Sequence, residues 1–179
     1  GISVMQCKAA LEEAGGDLKK AVLILSKKSG AIAAKKGDRA LDAGAVSTYT
    51  HANNEIGSMV ALRSETDFVS KNEDFVALAR ELALQVAATN PQYVKREDIP
   101  QEKLSEIQNL FTKEVEGKPE NMKGTILKGK IDAYLKNIVL LEQAHIKDPE
   151  RSIKDLIDAA IQKFGERVEI EKFARFSVK

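Results

Sequence analysis

At 179 residues, with 28 basic and 27 acidic side chains and a formal charge of +1, the chain can bury one good core, or a moderate core with a small satellite domain. It carries no global field to steer a polyanion, so nucleic-acid binding would need a local basic patch. One cysteine, Cys7, excludes an internal disulfide, and Cys7 with His51 and His145 falls short of a zinc ligand set; a reducing compartment is the plain reading, and no metal or cofactor is expected.

No window approaches the roughly 18 apolar residues of a membrane helix, so no membrane association is expected. Gly1-Ile2-Ser3 reads as the middle of something, and the absence of a targeting peptide carries little weight. Ser3 with Gln6 has the spacing of a capping box, which predicts a helix through Leu11 to Ala14 that Gly15-Gly16 stops. Asp17 caps a second helix with Leu18, Ala21, Val22 and Leu25 on one face and Gly30 beyond its end. The small, basic, glycine-punctuated stretch that follows reads as a linker over 31–45, after a helical domain over 1–30.

At Val46 the character changes. Residues 46–51 alternate and are β-branched, Asn53-Asn54 supplies a turn, and 56–62 alternate again through Ile56, Ser58, Val60 and Leu62, which predicts a β-hairpin with one face buried. Next comes Ser64-Glu65-Thr66-Asp67-Phe68-Val69-Ser70-Lys71-Asn72, and then a helix over about 73–88 with Phe75, Leu78, Ala79, Leu82 and Val86 at helical spacing, ended by Asn90-Pro91. Two amphipathic helices over about 101–135, broken at Gly117-Lys118-Pro119, describe an antiparallel hairpin with arms of about 22 Å. A strand over 138–145, a helix over about 153–164 and a final strand over 168–178, with a bulge near Lys172 where the alternation slips, complete the pattern. The fold class is α+β: a small helical domain, then over 46–179 an antiparallel sheet with helices on one side and an inserted helical hairpin.

Catalytic motifs are missing: there is no phosphate-binding lysine loop, no dinucleotide glycine pattern, no nucleophile elbow and no His-Glu-x-x-His. The chain does not read as an enzyme. Cys7 within a helix reads as packing, and the lysine pairs at 19-20, 27-28 and 35-36 read as a solvated face, with a phosphate-binding patch as the minority reading. Phe68 remains: one large ring in a polar turn of a chain poor in aromatics. From the residues alone it is more often a loop anchor folded into its own core, with Thr66 and Asp67 as turn and cap.

Thr66-Asp67-Phe68-Val69, preceded by a strand and followed by Lys71 and a helix with Phe75, resembles the most characteristic motif of the elongation factor Ts family. The N-terminal stretch with Val4-Met5-Gln6-Cys7-Lys8, Ile56-Gly57, Asn90-Pro91, Gly117-Lys118-Pro119 and the Phe-Ala-Arg-Phe ending are similar to that family as well. The resemblance implies a guanine nucleotide exchange factor that binds translation elongation factor Tu, dislodges its magnesium ion and releases GDP. It assigns the dislodging role to Thr66, Asp67, Phe68 and Val69, with Ile56 and Gly57 as neighbours, within the chain or from a second copy, and Val4, Met5 and Lys8 as docking residues of the helical domain. It also implies a cytoplasmic setting in a bacterium, or an organelle matrix, and no direct nucleic acid. Two departures stand out. The family's first helix is absent, and one core unit is present where longer members have two, which implies a homodimer; Ala174 stands where a bridging cysteine is often found. A helical domain of this type resembles ubiquitin-associated domains, so a plain interaction module stays open. So does an RNA-binding adaptor that uses the lysine pairs. The helical hairpin serves either as a partner grip or as scaffold.

Overall fold

In the computed structural model, which describes residues 3–117 and 119–178 apart from the side chains at 33 and 120, local capping chemistry starts the chain. Gly1-Ile2 of the opening and Lys118 of the Gly117-Lys118-Pro119 break lie outside the described residues. The Ser3 hydroxyl accepts the Gln6 N–H at 3.2 Å, and the Gln6 side chain accepts the Ser3 N–H, which begins α1 (Val4–Glu13). Asp17 accepts the N–H groups of Lys19 and Lys20 and begins α2 (Leu18–Lys35). This second helix does not stop at Gly30. Alanines at 31 and 34 sustain it, and Gly30 faces the core helix beneath, where a Cβ would lie 3.5 Å from Asp158 Oδ2. Only 36–42 is left as connector between α2 and the first strand.

Strands β1 (Ala43–Thr50) and β2 (Ile56–Ser64) form the antiparallel hairpin, turned at Asn54, whose φ of 58° is the left-handed conformation asparagine tolerates. β1 begins three residues before Val46, and His51 lies in the turn. After a one-turn helix α3 (Asp67–Ser70), Asn72 caps α4 (Glu73–Thr89), which ends at left-handed Asn90 before Pro91. α4 lies across β1 and β2 and buries Phe75, Ala79, Leu82 and Val86 against Val60 and Leu62, while Ser58 Oγ donates to the Ala83 carbonyl at 2.6 Å.

The hairpin of α5 (Gln101–Val115) and α6 (Glu120–Ile138) has its own apolar seam, with Phe111 edge-on to Tyr134 and Lys130 paired to Glu114. α6 runs three residues past the predicted end, so the strand predicted over 138–145 is largely absent. Its apolar run is buried against 93–94 instead: Leu140 N–H donates to the Tyr93 carbonyl and Leu141 N–H to that of Val94. Only β3 (Ala144–His145) is extended, paired with β4 (Asp148–Ser152). A reciprocal Ser152–Asp155 cap begins α7 (Ile153–Phe164), and Gly165 at φ 71° ends it.

β5 (Val168–Ser177) closes the sheet on β2, giving the order β1-β2-β5, all antiparallel. The register slips at Ala61/Leu62, where Lys172 and Ile170 are the partners and Glu171 is the extra residue. That bulge explains the imperfect alternation: Val168 and Ile170 face the core before it, Phe173 after it. Helices α4 and α7 share one face of the sheet, and α2 packs on α7. On the opposite face Val46, Met59 and Phe176 are exposed. Among the described residues no helix is long and apolar enough to cross a membrane.

One-sided burial yields a contrast. Phe75→Ala, at a fully buried position, lowers the unfolding free energy by about 3–5 kcal/mol. Val76→Ala, at the neighbouring exposed position, stays within about 1 kcal/mol. Urea unfolding of the two variants checks this.

Candidate functional site

The turn that carries Phe68 is set by what surrounds it. β2 delivers Ser58, Val60, Leu62 and Ser64 to the core in strict alternation. Ser64 Oγ, at the buried end, donates to the Thr66 carbonyl at 3.0 Å and bends the chain into α3. A single helical turn cannot stabilise itself, because nucleation costs more than its few hydrogen bonds return. Val69 supplies the missing energy: its side chain is 3% exposed within the main core. Phe68, about 100° away around the helix, is 83% exposed. Of the two readings open for this ring, the loop anchor is overturned; Val69 is the anchor.

Thr66 occupies the N-cap position of α3 but makes no side-chain cap bond. Its hydroxyl and its N–H both donate to the Glu166 carboxylate, at 2.6 and 3.0 Å. Glu166 lies between α7 and β5, 100 residues on. The adjacent Glu65 accepts the Arg167 N–H at 2.5 Å and the Arg39 guanidinium at 3.1 and 3.3 Å. Burial pushes the Glu65 carboxyl upward, but these donors outweigh it and hold the group below the ordinary glutamate value. Asp67 pairs with Lys71 one turn later at 2.6 Å. The Lys71 hydrogen bond and charge, helped by the N–H groups of Asp67 and Phe68, hold the Asp67 carboxyl below its usual value.

The remaining candidates fall elsewhere. Val4 and Met5 stand on the first turn of α1, 82% and 74% exposed, with Lys8 on the same helix paired to Glu12. This helix pair is tied to the α7 side of the core: Gln162 Nε2 donates to Gln6, and Ser29 bonds Gln162. Ile56 and Gly57 are not brought to Phe68 within one chain. They begin the nine-residue strand that the turn follows, so the two features are separated by roughly 30 Å of extended backbone. Of the lysine pairs, Lys20 reaches Asp17, Lys28 bonds Glu13 at 2.7 Å, and Lys36 donates to the Gly165 carbonyl, so several of these charges already have partners.

A groove of about 750 Å³ runs between α2, α4 and α7, lined by Val22, Leu25, Leu78 and Phe164. Cys7 is half-buried in α1. Among the described residues, no cluster of three or more histidine, cysteine or acidic side chains is placed to hold a metal ion. Sequence reasoning missed Glu65, Glu166, Arg39 and Arg167. Nothing local marks them, because each acts on a partner brought near only by the closed sheet.

The elongation factor Ts family model matches residues 32–179. Elongation factor Ts of Thermodesulfovibrio yellowstonii is 44% identical over 179 residues, covering 99% of this chain and 89% of that protein. The protein of the same name from Maridesulfovibrio salexigens is 45% identical over 180 residues, with 99% and 87% covered, and that from Thermotoga petrophila 42% over 178, with 99% and 89% covered.

The Asp67–Lys71 pair sets a titration. Lys71→Ala removes the main cause of the lowered Asp67 value, so the carboxyl titrates at higher pH in the variant, approaching an ordinary aspartate. Because the folded value lies below the unfolded one, the pair's stabilising contribution is present above the unfolded pKa and fades as pH falls through the folded one. Carboxyl-carbon NMR titration of both proteins measures the displacement.

Proposed function

The chain belongs to the elongation factor Ts family, and on that premise we propose that it is a guanine nucleotide exchange factor for translation elongation factor Tu. The observation that carries the proposal is Phe68: an apolar ring 83% exposed on a one-turn helix anchored through its neighbour Val69. A GTPase holds its nucleotide through a magnesium ion and phosphate-contacting groups, so release is slow because several charge-assisted contacts must break together. An exchange factor needs no bond chemistry. It binds the nucleotide-free conformation more tightly than the loaded one, and by linkage each ligand weakens the other by the same factor.

In this role Phe68 wedges between partner helices beside the magnesium site, and Asp67 engages their polar groups. Thr66 and Val69 hold the wedge. The α1–α2 pair, read as the ubiquitin-associated-like helical domain, presents Val4, Met5 and Lys8 to the nucleotide-binding domain of the partner. The work takes place where translation does, in a bacterial cytoplasm or an organelle matrix.

Two copies complete the functional unit. The helix-free face of the sheet supports this: Val46, Met59 and Phe176 share it, since Val46 pairs with Ala61, Met59 with Ala174 and Phe176 with Gly57. Ala174 lies on that face, so packing alone holds the pair. In this pairing the second chain supplies Ile56 and Gly57 to the neighbourhood of Phe68.

The test of exchange follows release of a fluorescent GDP from the matching elongation factor Tu at several magnesium concentrations. Wild-type protein accelerates release, excess magnesium reduces the effect, and Phe68→Ala loses most of it while retaining its fold. No acceleration by folded wild-type protein overturns the proposal; acceleration undiminished in Phe68→Ala overturns the wedge. For assembly, sedimentation equilibrium gives a dimer mass, and Met59→Glu, which places a charge on the uncovered sheet face, shifts it toward the monomer with an unchanged circular dichroism spectrum. A wild-type monomer at micromolar concentration would refute the pairing.

A further inference from the structure

We infer that Glu166 is a positioning residue for the Phe68 wedge, an inference that rests on the exchange reading above. An exposed ring gains no orientation from the core; its direction is set by the two ends of the turn that bears it. The C-terminal end is held by Val69 and by the Asn72 cap of α4. At the N-terminal end Ser64 holds the Thr66 carbonyl from the core side, but the Thr66 hydroxyl caps nothing within the helix and is spent outward.

Glu166 grips the same residue from outside the helix. One carboxylate oxygen takes the Thr66 hydroxyl at 2.6 Å and the other the Thr66 N–H at 3.0 Å, a two-point grip that fixes rotation as well as position. The same short loop reaches further. Arg167 donates its backbone N–H to Glu65 at 2.5 Å and its side chain to the Arg39 carbonyl at 2.6 Å. The Gly165 carbonyl, which opens the loop, accepts from Lys36, the first residue past α2. Loop 165–167 therefore joins the wedge to the connector that leads from the α1–α2 pair. It sets Phe68 in register with the second docking surface.

Without Glu166 the turn still forms, because Val69 still has its pocket. Thr66 is then held through its carbonyl alone, the turn rocks about the Val69 anchor, and only a fraction of molecules present the ring in the productive direction. The cost falls on the step in which the wedge acts, while encounter through α1 is unaffected. That separates positioning from plain stabilisation.

The experiment measures GDP release from elongation factor Tu against the concentration of full-length wild-type protein, Glu166→Gln, Glu166→Ala, Phe68→Ala and the Phe68→Ala/Glu166→Ala double variant. Glu166→Ala lowers the maximal acceleration roughly tenfold or more, with the half-saturating concentration within about threefold of wild type. Glu166→Gln, which keeps one acceptor oxygen, lies between. In the Phe68→Ala background Glu166→Ala adds nothing, since an absent ring cannot be misdirected.

Amide hydrogen exchange supplies a readout independent of activity: Thr66 and Ser70 exchange faster in Glu166→Ala, and the α4 amides stay at wild-type rates. A Glu166→Ala protein with wild-type maximal acceleration, a loss that adds in full to that of Phe68→Ala, or unchanged exchange at Thr66 each overturns the assignment. Wild-type protein that fails to release GDP instead overturns the exchange reading, and hydrogen exchange still decides whether Glu166 holds the turn.

Discussion

Burial of one face of β2 is the constraint from which the candidate surface follows. The strand alternates with period two, so once Val60 and Leu62 are committed to the core under α4, Ser58 and Ser64 are committed with them. Ser64 then starts the turn by bonding Thr66, and the next apolar residue able to return to the same core is Val69. Phe68 and Val69 cannot both face inward from a single helical turn. The smaller side chain fits beneath α3, and the ring is left in water. A slip of one residue in β2 would exchange its core and solvent faces and remove the turn from its pocket.

What was legible in the sequence was local. The Ser3–Gln6 box, the Asn53-Asn54 turn and the Asn90-Pro91 stop each depend on neighbours within a few residues, and each is where spacing placed it; the bulge beside Lys172 showed as a local slip in alternation. What was not legible depended on distant partners. Gly30 carries a strong stop signal, yet the helix runs on to Lys35 across α7. The apolar run after 138 reads as a strand by composition, but its backbone partners are Tyr93 and Val94, so it becomes a helix end and a tight turn. The choice between Phe68 and Val69 as anchor could not be made from two adjacent apolar residues. The Glu166 grip on Thr66 spans 100 residues and leaves no periodic trace.

The charges around the turn matter for geometry more than for stability. Exposed ion pairs such as Asp67–Lys71 contribute little individually, and salt weakens them further. Their effect is to leave few alternative arrangements. Asp67 is already engaged by Lys71, so a partner that recruits its carboxylate must share it with that ammonium or displace it.

Stiffness has a thermodynamic reason in a protein of this kind. A factor that works by differential binding can shift its partner only by the difference in affinity between the partner's two states. A mobile turn would adapt to both states and bind each moderately, which shrinks that difference. On the proposed exchange reading, a ring held from both ends is one that fits the displaced arrangement and clashes with the loaded one. In the proposed role, the buried valine, the external carboxylate and the loop that links them to the helical pair would keep that discrimination. They account for an apolar ring kept in water, where hydrophobicity alone would have buried it.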